Sequence, residues 1–227
     1  GSNTHISGDI TLPALQATLA DGTKVQGDIT LAKVFADIKE NILTISSDIN
    51  ARAMDITLNA GQTIKANIAV PGLTVTQNAK GYAVSGEVKA DDLSIMIAKD
   101  QEFSGQVLLK KMTVLLTGSA IQAQADIDIK SAAATFAGTS VNTEILAPNT
   151  RLTFDTGRLD TELHGVFKDL AVKTKDIAVS STSNAPELTI RLVFDPKAEI
   201  PLSYTGTLML AGLGISGIPT INEIKNI

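Results

Sequence analysis

The sequence predicts an all-β fold, a long antiparallel meander, and three observations carry that reading. Of 227 residues, 24 are Ile, 13 Val and 25 Thr, the β-branched types that are stiff at χ1 and favoured on a pleated surface. The string Gly8-Asp9-Ile10-Thr11-Leu12 returns almost unchanged as Gly27-Asp28-Ile29-Thr30-Leu31. Apolar and polar residues alternate through long stretches, as in Ile121, Ala123, Ala125, Ile127 and Ile129 against Gln122, Gln124, Asp126 and Asp128.

Relaxed to a small residue, then an acid or amide, then Ile or Val, the motif recurs eight times between residues 8 and 145. The further copies are Ser47-Asp48-Ile49, Ala66-Asn67-Ile68, Gly86-Glu87-Val88, Gly105-Gln106-Val107, Ala125-Asp126-Ile127 and Thr143-Glu144-Ile145. Successive copies lie 19, 20, 19, 20, 19, 20 and 18 residues apart. That period is too short for four-stranded blades or paired helices and accommodates two short strands with two tight turns, so each copy is expected to be one hairpin. Asp21-Gly22, Asn59-Ala60-Gly61, Pro71-Gly72, Asn78-Ala79-Lys80-Gly81, Lys99-Asp100, Thr117-Gly118 and Pro148-Asn149 supply the turns. The weaker echoes Thr161-Glu162-Leu163 and Gly206-Thr207-Leu208 extend the architecture into the last third. Leu31, Val34, Phe35, Ile38 and Ile42 are spaced three or four apart, the helix period, which admits one short helix near 32–41.

The opening Gly1-Ser2 reads as the scar of a removed tag, with 1–4 as an N-terminal arm, 5–210 as one continuous repeating domain and 211–227 as a Gly-rich tail. If each copy contributes two strands, eight copies extend about 67 Å across the sheet. A sheet of that size must cover its apolar face by curving into a U-shaped groove around an apolar guest, by folding into an elongated sandwich or by closing into a barrel. A cross-section of Ile, Leu and Val repeated along one axis makes a uniform trough, which suits a uniform chain molecule. The candidate lining is Ile10, Leu12, Ile29, Leu31, Ile49, Ile68, Val70, Val88, Val107, Leu109, Ile127, Ile129 and Ile145. Within each copy the small residue shares this face and leaves a low strip, while the acid or amide points outward as a solvated row that discourages edge pairing. Arg52, Lys110, Lys130 and Lys33 form a candidate polar rim.

Composition removes several function classes. A net charge of −5, no Trp and few aromatics leave no surface for nucleic acid. Without Cys there is no thiol chemistry, zinc ribbon or iron–sulfur cluster, and no dense acidic loop calls for calcium, so no cofactor is expected. His164 beside Asp160 and Glu162 is the best catalytic constellation available, and on an alternating strand these three are ordinary surface groups. Gly212-Leu213-Gly214 with Gly217 is followed by Pro219 rather than a helix, so it makes a poor phosphate cradle. No enzyme is expected.

The tandem Gly-Asp-Ile-Thr-Leu copies, with strands such as Gly61 to Val70 and Ala120 to Ile129, resemble the repeating β-groove segments of the AsmA-like superfamily of Gram-negative envelope proteins, in particular its YdbH branch with TamB and YhdP relatives, some labelled as dicarboxylate transporters. The resemblance covers residues 5 to 145 most clearly. It implies a fragment of a periplasmic protein, anchored to the inner membrane in its full-length form. In that family, acyl chains are shielded in an apolar groove as phospholipid passes between the inner and outer membranes. The implied partners are phospholipid or another acyl-chain lipid, the membranes at the two ends, and an envelope protein. The alternative is a secreted or cell-surface adhesin or stalk, whose core would be filled by its own side chains and which would carry no lipid.

Overall fold

The computed structural model describes residues 4–58, 60–181, 186–195, 197–198, 202–209 and 213–216. Among them, thirteen strands form one antiparallel sheet and there is no helix. Nine long strands follow one another as a meander: β1 (Thr4–Thr18), β2 (Lys24–Lys39), β3 (Ile42–Thr57), β4 (Thr63–Asn78), β5 (Gly81–Ala98), β6 (Gln101–Thr117), β7 (Ala120–Phe136), β8 (Thr139–Asp155) and β9 (Arg158–Lys173). The sheet does not close, and strands touch only their sheet neighbours, so no second layer makes a sandwich. The open, curved arrangement is the groove alternative.

Each copy of the motif is one long strand and one turn, and two consecutive copies make a hairpin. The expectation of a hairpin per copy fails at Pro71-Gly72 and Pro148-Asn149, which are not turns but lie within β4 and β8. Eight copies therefore span about 34 Å rather than 67 Å, and nine strands about 38 Å. Five of the eight turns joining β1 to β9 fall at the other predicted places, Asn59 lying outside the described residues, and the three at 40–41, 137–138 and 156–157 were not read from the sequence. At Glu40-Asn41, Ala137-Gly138 and Thr156-Gly157 both central residues have positive φ, as two-residue turns that match strand twist require.

What interrupts each strand is a β-bulge. Ala14, Lys33, Ala53, Gly72, Asp92, Lys111, Ser131, Asn149 and Asp169 all have φ between 48° and 61°, one in each of β1 to β9. The first eight stand six residues after the small residue of their motif copy. A bulge sets two residues against one and shifts the alternation by one place. That shift accounts for the false helix signal: Leu31 opposes Ile10 and Val34 opposes Gly8, so Leu31 and Val34 share a face although three apart. Phe35 points the other way, and residues 32–39 belong to β2.

The motif builds these bulges. Within a hairpin, the acid or amide of one strand accepts the bulge N–H of the other. The Ala14 and Lys33 N–H groups donate to Asp28 and Asp9 at 2.7 and 2.8 Å. Those of Ala53 and Gly72 donate to Asn67 and Asp48 at 2.9 and 2.8 Å, and that of Asn149 donates to Asp126 at 2.9 Å. Across the seam to the next hairpin, the small residue makes room for the neighbouring bulge. A Cβ on Gly105 would stand 3.2 Å from the Lys130 carbonyl, and one on Gly27 would stand 3.1 Å from the Arg52 carbonyl. Where Ser or Thr holds that place, its hydroxyl donates to the bulge carbonyl: Ser47 to Ala32 at 3.2 Å and Thr143 to Lys168 at 2.9 Å.

Beyond β9 the sheet forks. β11 (Glu187–Phe194) pairs with the first half of β9 and carries β12 (Leu202–Met209), while β10 (Ala178–Ser181) pairs with the second half and carries β13 (Leu213–Ser216). Gly214 is therefore in a strand, and Gly212 and Gly217 lie outside the described residues. Of the predicted tail 211–227 only residues 213–216 are described, and they form β13.

Candidate functional site

All thirteen predicted lining residues stand on one face, and the register aligns them in rows. Leu12, Ile29, Ala51, Ile68, Ala90, Val107, Ile129, Ile145 and Phe167 are successive directly opposed partners across nine strands. A second row runs Ile10, Leu31, Ile49 and Val70, and resumes as Val88, Leu109, Ile127 and Ala147. Past the bulge the same face continues with Leu15, Val34, Met54, Leu73, Leu93 and Met112. Sequence reading missed this second arm, because strict alternation counted from the motif assigns it to the wrong side. The signal was present as the same phase slip, six residues into every copy.

Nine aligned bulges bend the strands along one line. Within the long strands the buried side chains Ser47, Ala51, Ala66, Ala132, Thr143 and Ala147 all lie on the apolar face beside that line, so this face is the inside of the bend. They are small, and they form the floor. Larger apolar groups stay open on the edge strand and at strand ends, with Ile10 50% and Leu12 46% exposed in β1 and Phe136 61% at the end of β7. Among the described residues the only large side chain that is fully buried is Pro186. The molecule thus presents a trough lined by its own Ile, Leu and Val rather than a core filled by them.

The outer face is polar and laced with ions. Asp48 bridges three strands, accepting the Gly72 N–H from β4 and the Lys33 ammonium from β2 at 2.7 Å. Asp126 repeats the arrangement with Asn149 of β8 and Lys111 of β6, at 2.8 Å to the ammonium. The lysine contact, then the backbone N–H, holds each carboxyl below the usual aspartate range, and each lysine is raised in turn. The expected rim is overturned. Arg52, Lys110 and Lys130 pair with Asp28, Asp126 and Gln106 on this outer face beside the bulges, and Lys33 reaches Asp48 there, so none of the four borders the trough mouth.

His164, Asp160 and Glu162 also lie on the outer face, as the alternation requires. The His164 Nδ1 lies 2.8 Å from the Thr189 hydroxyl of β11, and Arg191 grips Asp160 through two hydrogen bonds of 2.9 and 2.6 Å. Each of these contacts ties β9 to β11. Among the described residues no cluster of His, Asp and Glu could hold a metal ion, and no helix is long and apolar enough to cross a membrane. No family model, curated protein or solved structure matches this chain.

Proposed function

We propose that the trough is a non-catalytic conduit that shields lipid acyl chains, as part of a periplasmic AsmA-like protein carrying phospholipid between inner and outer membranes. The observation that carries this reading is the continuous apolar row across nine strands, over which the described residues place no second layer. A surface of that extent is normally covered. A floor about 38 Å long exceeds the roughly 15 Å of hydrocarbon in one bilayer leaflet, so acyl chains fit along it lengthwise. Each shielded CH₂ contributes about 0.8 kcal/mol without directional demands. Bound chains can therefore slide, while head groups stay at the open mouth in water. The adhesin or stalk reading calls for a core packed with large side chains, and the described residues do not supply one.

The test is native mass spectrometry of protein purified gently from a Gram-negative host, with phospholipid adducts as the expected result. Ile68→Asp and Val107→Asp place a charge in the central row and should lower lipid occupancy several-fold, while the sheet signal in circular dichroism persists. A lipid-free parent protein whose variants simply unfold would defeat the reading.

A further inference from the structure

We propose that the outer edge of β1 is a built pairing site for one more antiparallel strand of the same bulged type, bearing a basic residue at its bulge. This stands on backbone and charge geometry and does not rest on the lipid reading. Among the described residues β1 pairs only with β2, leaving the other edge of a 15-residue strand open. Such edges are usually blunted by lysines, bulges or proline. β1 contains no Lys or Arg. Its Pro13 is no guard, because Pro71 and Pro148 hold the same place, one residue before the bulge, in β4 and β8, which are paired on both sides. Its bulge N–H, that of Ala14, is turned inward to Asp28 of β2.

Two features of this edge match seams that are filled elsewhere. Gly8 has nothing within 4 Å of where its Cβ would stand, whereas Gly86, at the same place in β5, is 3.4 Å by that measure from the Leu73 Cα, just past the β4 bulge. Gly8 is therefore a socket without its bulge. Asp9 holds the position of Asp48 and Asp126. Like them it accepts a bulge N–H from within its hairpin, that of Lys33. Unlike them it has no lysine reaching it from the strand before, the place that Lys33 and Lys111 take for Asp48 and Asp126. The strand that completes the site thus has a small residue opposite the Ala14 bulge and a Lys or Arg at its own bulge, six residues later. β1 of a second copy fits worse, since Ala14 would leave Asp9 without a cation.

The probe is a labelled peptide with the β2 sequence, residues 24–39, which carries Gly27 and Lys33 in this spacing, titrated into the full chain and followed by fluorescence anisotropy. Saturable binding is expected. Asp9→Asn in the protein keeps the clamp, as Asn67 does for Ala53, yet removes the charge, and should weaken binding about three- to fivefold. Lys33→Glu in the peptide should weaken binding at least as much, and much less against the Asp9→Asn protein. Gly8→Leu fills open space, leaves the fold intact and should abolish binding. The register places Thr30 of the peptide opposite Thr11, as Thr30 opposes Asn50 across the filled β2–β3 seam. In this Cys-free chain, Thr11→Cys should cross-link to a Thr30→Cys peptide and Ser7→Cys should not. Binding indifferent to Asp9→Asn and Gly8→Leu would overturn the proposal, as would Thr11→Cys linking efficiently to its own copy. Lipid adducts are read separately, so failure here leaves the conduit reading standing, and the converse also holds.

Discussion

The run from β1 to β8 and the fork beyond it solve the same problem in different ways. In the run, every strand crosses the bulge line whole: the bulge N–H groups of β1 to β4 and β8 meet an acid or amide of the hairpin partner, and where another hairpin adjoins, a small residue makes room for the neighbouring bulge. In β9 the bulge persists at Asp169, but the residue six positions earlier is Leu163, and His164 stands where an acid would be. No strand follows β9 across the line. One half is taken by β11 and the other by β10, and a regular ladder with ordinary side-chain contacts joins β11 to β9. The bulge line is therefore the natural parting of this sheet, and the motif is what keeps the two arms of the trough on one set of strands.

One glycine in each region, Gly206 and Gly105, gives the largest expected separation between the two. A Cβ on Gly206 in β12 would stand 2.5 Å from the Thr189 carbonyl oxygen, which is backbone and cannot step aside. On Gly105 the same atom would stand 3.2 Å from the Lys130 carbonyl, which a small adjustment accommodates. Gly206→Ala should destabilise the fork by about 1–3 kcal/mol, and Gly105→Ala by well under that. Native-state hydrogen exchange checks both: Gly206→Ala should strip protection from β11 and β12 while β2 to β7 keep theirs. Uniform loss across the sheet would show that fork and run are a single cooperative unit.

This comparison also marks how far the sequence could be read. Ile29, Ile68, Val107 and Ile129 declare their face because period-two alternation holds over five or more residues before each bulge. The bulge itself leaves a fainter trace, a single skipped place between Leu31 and Val34 or between Val70 and Leu73. That skip imitates the helical spacing in β2, and Pro71-Gly72 imitates a turn in β4. Both misreadings trace to the bulge, which skips one place of the alternation in β2 and in β4 uses a proline and a left-handed residue that suit a turn equally. The row of acids was legible as an outer polar row, yet its task depends on backbone groups 14 to 24 residues away in sequence. Residue types alone do not reveal unpaired N–H groups. The fork was not legible, because the choice of β11 over β10 for the first half of β9 is made by long-range pairing.

Acid should sharpen the contrast at intermediate size. Asp48 and Asp126 titrate below the ordinary aspartate value of 3.8 because of their lysines and clamped N–H groups. Asp160 does so because of Arg191. A depressed folded-state value means that the stabilising contribution is complete above 3.8 and disappears as pH falls through the lower folded values. Thermal unfolding should thus be flat from neutral pH to about the carboxylate range and decline below it. Asn at both 48 and 126 keeps an acceptor for the Gly72 and Asn149 N–H groups but has no charge to lose, so the double variant should decline less steeply. Identical acid slopes for variant and parent would move the pH sensitivity from the run to the fork.

The smallest effect is expected where the carboxylate of an ion pair holds no backbone N–H as well. Arg191 meets Asp160 with both ends of its guanidinium, but its side chain is 56% exposed, and surface pairs of this kind are screened and entropically opposed. Arg191→Lys replaces a planar two-point grip by a single ammonium. The change in melting temperature should approach the limit of detection, with a slight loss of amide protection in β11 at low salt that vanishes as salt is raised. The equivalent lysines of the run, Lys33 and Lys111, contact carboxylates that also hold a backbone N–H, so their replacement by Met should be felt on both adjoining seams. If Arg191→Lys instead released β11 outright at all salt concentrations, the fork would depend on this one pair. Hydrophobic register along Leu188, Ile190 and Leu192 would then contribute less to joining it to the trough than their alignment with Gly165, Leu163 and Thr161 implies.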